Sequence, residues 1–147
     1  MGFVLGLNAK LYRNTGTYGS PTWNEIPNVK DVTLSLEKGE TDATTRGNGG
    51  WEAVIATLKK ASIEFNMVWD TADQDLIALR DAWLGDTVIE FAVMDGDINT
   101  PGNQGLRASC MVTKFSRKEP LEEALMAEVS IKPSYSAFAP SWYTVPE

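Results

Sequence analysis

Val29-Lys-Asp-Val-Thr-Leu-Ser-Leu-Glu-Lys-Gly-Glu40 and Ala61-Ser-Ile-Glu-Phe-Asn-Met-Val-Trp69 decide the fold of this chain. In the first segment Val32, Leu34 and Leu36 share one face while Asp31, Thr33, Ser35 and Glu37 share the other, the two-residue period of a half-buried strand. The second repeats the device, with Ala61, Ile63, Phe65, Met67 and Trp69 opposed to Ser62, Glu64, Asn66 and Val68. Between them, Gly39 to Gly50 carries Thr41, Thr44, Thr45, Asn48 and four glycines, which leave almost nothing to bury. That composition predicts a long mobile excursion from a hairpin, with Trp51 and the Val54-Ile55-Leu58 cluster returning to the core.

Asp70-Thr-Ala-Asp73 then reads as a helix start. Asp70 is expected to accept from a backbone N–H three residues on, and Asp73 to place negative charge in the first turn. Ala72, Leu76, Leu79 and Trp83 form an apolar stripe at helical spacing, and Gly85 supplies a C-terminal stop. Outward from this centre, Phe3 to Arg13 reads as a first strand followed by the turn-rich run Asn14 to Pro21. Thr87 to Met94, Gly105 to Phe115 and about Ala124 to Lys132 read as three more strands. In the last of these Ala127, Val129 and Ile131 alternate with Glu128, Ser130 and Lys132, although Pro120-Leu-Glu-Glu-Ala-Leu-Met could also open a helix. One helix among six or seven strands predicts a mainly β fold, an antiparallel sandwich or barrel with a flanking helix.

A length of 147 residues with 43% hydrophobic composition fits a single domain, residues 1–147, that buries about 70% of its unfolded surface. Thirteen basic against twenty acidic residues give a net charge of −7, which opposes binding to a phosphate backbone. The pairs Lys59-Lys60 and Arg117-Lys118 are each followed by an acid, Glu64 and Glu119, and build no basic stripe. Gly2 to Leu7 is too short for a signal peptide and no run approaches ~18 apolar residues, so no membrane partner is expected and the protein is expected in a cytosol unless a larger particle carries it out.

The chain has no histidine, which removes the commonest general base and metal ligand. Cys110 stands alone among Ala108, Met111 and Val112 and reads as a buried strand residue. Asp95-Gly96-Asp97 with Asn99 lacks the later glutamate of a calcium loop and reads as a hairpin turn. Helix capping accounts for Asp70, Asp73 and Asp75, and solvation for Glu122-Glu123. No catalytic residue, cofactor or metal site is expected. Trp23, Trp142 and Tyr143 could line a ligand face, and equally could dock the chain ends.

The run Val29 to Glu40, Asp42-Ala-Thr-Thr-Arg46, Gly50-Trp51, Ala61-Ser-Ile-Glu-Phe65 and Trp69-Asp-Thr-Ala-Asp73 resembles the major tail tube proteins of long-tailed phages with non-contractile tails. Val93-Met-Asp-Gly-Asp97, Gln104-Gly-Leu-Arg107, Phe115 to Ala124 and Lys132-Pro-Ser-Tyr-Ser136 extend the likeness over roughly residues 29 to 145. The resemblance implies a subunit of hexameric rings that stack into a hollow tube for phage DNA. It implies partners that are further copies of the chain, a tape-measure protein, and the initiator (distal tail) and terminator proteins. The expected place is the virion tail, with assembly in the host cytoplasm.

In that family the long loop reaches toward the adjoining ring. The corresponding segment here, about residues 39–50, gives Glu40, Thr41, Asp42, Thr44, Thr45, Arg46 and Asn48 as the expected stacking residues. Asp31, Glu37, Glu64, Asn66 and Glu128 are the candidates for facing the lumen, where their acids would repel DNA in transit. Ordering entropy of ~1 to 2 kcal/mol per residue in a Gly/Thr-rich loop would keep stacking weak until many contacts form together. The alternative from another class is a monomeric β-sandwich that binds carbohydrate or serves in adhesion through exposed tryptophans.

Overall fold

In the computed structural model, residues 5–119, 121 and 124–146 are described. Phe3 and Val4 of the expected first strand, and Pro120, Glu122 and Glu123, lie outside them. All strand pairings are antiparallel and join one eight-stranded sheet. The strands are β1 (Lys10–Asn14), β2 (Trp23–Glu25), β3 (Val29–Asp42), β4 (Val54–Val68), β5 (Val88–Met94), β6 (Gln104–Lys118), β7 (Met126–Pro133) and β8 (Ser141–Thr144). The helix α1 spans Gln74–Gly85. The order across the sheet is β2-β1-β5-β6-β7-β4-β3, with β8 also paired to β6.

One face of this sheet curls around the main core. Leu11, Phe91, Leu106, Ala108, Cys110, Val112, Val129, Ile131, Ile63, Phe65 and Met67 meet there, and α1 adds Leu76, Leu79 and Ala82. The period-two pattern thus does what it predicts, since Ile63, Phe65 and Met67 are buried while Glu64 stays exposed. A smaller cluster on the opposite face of β1 and β5 joins Tyr12, Ala92, Met94, Ile98 and Val145, with Trp23 and Tyr143 packed against it. Those two aromatic residues therefore dock the C-terminal strand. Trp142 remains half exposed, its indole N–H donating to Gln104 Oε1 at 2.8 Å.

Gly105 is dictated by close approach: a Cβ there would lie 1.8 Å from the Val93 carbonyl oxygen across the β5–β6 pairing. β7 ends at Pro133; Ser134 makes one more bond to β6, its N–H donating to the Ser109 carbonyl at 3.0 Å, and the chain then leaves β6 until Ser141 resumes pairing on the same side of that strand.

Several expectations are corrected. The helix begins later than Asp70: Asp73 is the N-cap, accepting from the Asp75 N–H at 3.0 Å, while Asp70 closes the preceding turn by accepting from Ala72 N–H at 2.9 Å. Both aspartates suit a cap, and the one adjoining the helical stripe takes it. That stripe is Asp75, Leu76, Leu79 and Ala82, whereas Trp83 is 48% exposed. Asp75 is tolerated there because Arg13 holds it at 3.0 Å. Its burial nevertheless raises its pKa, against the opposing influence of Arg13. The left-handed residue ending α1 is Asp86 (φ 53°) rather than Gly85.

The expected excursion starts later than Gly39: Gly39 to Asp42 are still strand, and its remaining residues, 43–50, lie in the turn. β3 and β4 remain paired through Glu40↔Ala56, Thr41↔Ile55 and Asp42↔Val54, so only residues 43–53 form the turn. Trp51, Val54, Ile55 and Leu58 do not return to the core; they stand exposed along this ribbon, Trp51 at 78% and Leu58 at 74%.

Candidate self-assembly surfaces

The β3–β4 ribbon follows from the register. β4 pairs with β7 only from Ile63 to Val68, so from Leu36↔Ala61 outward β3 and β4 have only each other. A two-stranded ribbon on its own is marginal in water. Here it extends from a packed sheet and carries apolar side chains that stand exposed among the described residues. Along it the ladder shifts between Lys38 and Glu40, where β4 carries one extra residue, a bulge that twists and bends a ribbon.

The tip is ordered by its own polar side chains. Asp42 Oδ1 accepts from the Thr44 N–H at 2.8 Å, and Thr44 Oγ1 accepts from the Ala53 N–H at 2.9 Å. Hydrogen bonding by the Thr44 side chain, and next by its backbone N–H, holds the Asp42 carboxyl below its usual range. Arg46 to Asn48 form a 3-10 turn, and Gly49 (φ 62°) and Gly50 (φ 89°) supply the left-handed backbone that reverses the chain. Glu40, Thr41 and Asp42 thus sit in the ribbon's strand, Thr44, Thr45, Arg46 and Asn48 at its tip; all are exposed except Asn48, which is half-buried.

The sheet face turned away from the core, across β3, β4, β7 and the second half of β6, is polar. Glu37 is paired with Lys60, Glu64 with Ser130, and Asn66 with Glu128. Asp31 sits at a bulge in β3 with φ 50°, and lines with Glu64, Asn66 and Glu128 a hollow of about 430 Å³. The structure therefore brings Asp31, Glu64, Asn66 and Glu128 together, with Glu37 farther along the same face.

What the sequence reading missed is the cations among them. The alternation also puts Lys30, Lys60, Lys114, Lys118 and Lys132 on this face. Lys114 and Lys118 reach Glu128 at 3.3 and 2.5 Å and depress its pKa. Four acids against five lysines make this a charge-balanced wall, so uniform repulsion by acids is not its character. The signal was available in Lys114-x-x-x-Lys118 beside Glu128, but became readable only once β6 and β7 were in register.

A third feature was invisible in the sequence. Arg107 donates to both carboxylate oxygens of Glu90 and to the Tyr18 carbonyl, and lies over the Tyr18 ring at 3.8 Å. Asn14 donates to Glu90 at 2.7 Å, and Tyr18 stacks on Phe138 with centroids 3.8 Å apart. Asp95 and Asp97 accept backbone N–H bonds within the β5–β6 turn at 2.8 Å each, and burial pushes the Cys110 thiol up to about 12.

Comparison with known proteins decides between assembly and ligand binding. A profile of the phage tail tube protein family matches residues 10–134. The chain belongs to that family. Comparison with curated proteins finds no match. Among solved structures, the tail of an empty gene transfer agent particle, refined with C6 symmetry, shares 22% identity with a TM-score of 0.73 over 95% of this chain and 98% of that one. The SPP1 tail tube shares 12% identity with a TM-score of 0.72 over 99% and 81%. A chain of the anti-feeding prophage baseplate shares 9% identity with a TM-score of 0.62 over 99% of each. The fold is that of tail tubes, and the chain is a structural tail tube protein. No helix among the described residues is long and apolar enough to cross a membrane.

Proposed function

We propose that this chain forms hexameric rings that stack into the hollow tube through which phage DNA is delivered. The observation that carries the reading is the β3–β4 ribbon, whose exposed apolar side chains have no cover among the described residues. Family membership and the sixfold symmetry of the similar gene transfer agent tail support it. β3 is also the terminal strand of the sheet, 14 residues long, with one edge unpaired among the described residues. Such an edge is an aggregation liability in a monomer and becomes a joint when rotation closes a ring.

In this reading the polar face of β3, β4, β7 and β6 lines the lumen, with Asp31, Glu37, Glu64, Asn66 and Glu128 on the wall. Interleaved lysines leave passing DNA without a net field to adhere to or climb against. The ribbon tip, Glu40 to Asn48, makes the contact between rings. Further partners are a tape-measure protein inside and initiator and terminator proteins at the ends. The assembled place is the virion tail, built in the host cytoplasm.

Negative-stain electron microscopy across a concentration series, with light scattering for mass, tests the reading. Rings or tubes with a central hole are expected, and deletion of Thr41 to Asn48 is expected to abolish tube growth while leaving the fold intact. Normal tubes from that deletion would overturn the stacking role of the tip. A strict monomer that binds glycans saturably would overturn the tube reading in favour of a binding module.

A further inference from the structure

We propose that the groove at the root of the β3–β4 ribbon is the receptor for the ribbon tip of a second copy of this chain. The proposal rests on the stacked-ring reading and names the two surfaces that meet. The groove encloses about 820 Å³ and its floor is apolar, built from Leu36 and Ala61 of the ribbon, Leu106 of β6, and Pro133 and Pro140 at the ends of the segment between β7 and β8. Its rim carries Lys38, Lys59 and Lys60 against Glu37.

The rim is built for an acidic visitor. Lys38 and Lys59 stand directly opposite each other in the ladder, a like-charge pair that destabilises a ribbon. Among the described residues, none of the three lysines has a carboxylate within salt-bridge distance. The tip has the complementary character. Glu40, Asp42 and Glu52 outnumber Arg46, and Trp51 stands out beside them as an exposed aromatic of a size that such a groove admits.

Geometry requires that the two belong to different copies. Six residue steps along β3 take the chain from Leu36 to Asp42, about 20 Å of extended ribbon, and the ladder prevents the tip from folding back onto its own root. Tip and root are different surfaces, so the contact is head-to-tail, and in the stacked-ring arrangement, where successive rings are displaced along the tube, it repeats without closing.

Charge reversal with rescue tests the pairing. Lys38→Glu with Lys59→Glu reverses the groove, and Glu40→Lys with Glu52→Lys reverses the tip; Asp42 is spared because it orders the turn. Circular dichroism and melting establish that each variant is folded, and light scattering gives the concentration at which assembly begins. Each two-residue variant should raise that concentration by about tenfold or more, because like charges then meet at the joint. The four-residue variant should return to within about threefold of the parent protein, since both surfaces have changed sign together. Mixing the two defective variants should also restore growth, each tip finding a groove of opposite sign.

The pairing is overturned if the groove variant assembles at the parent protein's concentration, or if neither mixing nor the four-residue change repairs the defect. A parent protein that never assembles would instead sink the stacked-ring reading on which the pairing depends.

Discussion

Replacing Arg107 by Met keeps an unbranched side chain of similar reach while deleting the charge between Glu90 and Tyr18. The carboxylate of Glu90, whose side chain is only 9% exposed, would keep the Asn14 amide at 2.7 Å as its donor and lose both bonds from the guanidinium. Breaking one side of a buried pair costs about 3–5 kcal/mol. Residual solvent access on both partners and the retained Asn14 bond place the expectation at the lower end, about 3 kcal/mol. For a domain of this size that lowers the melting temperature by about 6–12 °C.

Adding Glu90→Gln to Arg107→Met removes the stranded charge and should recover about half of the loss. Urea unfolding of dispersed subunits, followed by the fluorescence of the five tryptophans, gives both values. A loss below about 1 kcal/mol for the single variant, or a double variant less stable than the single, would refute the reasoning. The same substitution bears on assembly. Arg107 supports Tyr18, Tyr18 stacks on Phe138, and the next residues, Ala139 and Pro140, wall the groove at the ribbon root.

Three further outcomes are expected. Leu79→Ala, at a fully buried helix position facing the main core, should cost about 2–5 kcal/mol in chemical unfolding, and a loss under 1 would mean that the helix packs only loosely. Cys110 is fully buried with its thiol pushed up to about 12, so a thiol reagent at neutral pH should label it only after unfolding, and rapid labelling of the native protein would contradict its place in the core. Hydrogen bonds from Lys118 and Lys114 hold the Glu128 carboxyl below its usual 4.5, so its contribution to stability is present above pH 4.5 and is lost as pH falls through the lowered value. Glu128→Gln should remove that acid-side loss, seen as a smaller difference between urea midpoints at neutral and acidic pH.

The strands that bury one face were legible because period-two alternation survives folding unchanged, as Ile63, Phe65 and Met67 show against Glu64 and Asn66. The ribbon was not, because alternation carries information only where one face is buried. From Glu40 to Asp42 the β3 residues are exposed, and the extra residue in β4 near Thr57 shifts the period between Lys59 and Ala56. Trp51, Val54, Ile55 and Leu58 read as core on hydrophobicity alone, yet they stand exposed on the ribbon and its tip. β2 and β8 were too short to announce themselves, at three and four residues. The Arg107 cluster joins residues 17 to 89 positions apart, a separation no local pattern can signal.

β4 runs without interruption from Val54 beside the tip to Val68 beneath the core. A pull on the tip therefore passes along one covalent strand into the six residue pairs that bind it to β7, from Ile63↔Ile131 to Val68↔Met126. The hydrogen bonds of that ladder lie across the direction of the pull, so they bear load side by side in shear and do not peel apart one after another. A filament joined through such ribbons bends or stretches only by straining its subunits' own cores. The proposed joint between neighbours would thus act as a tendon anchored in the core of each.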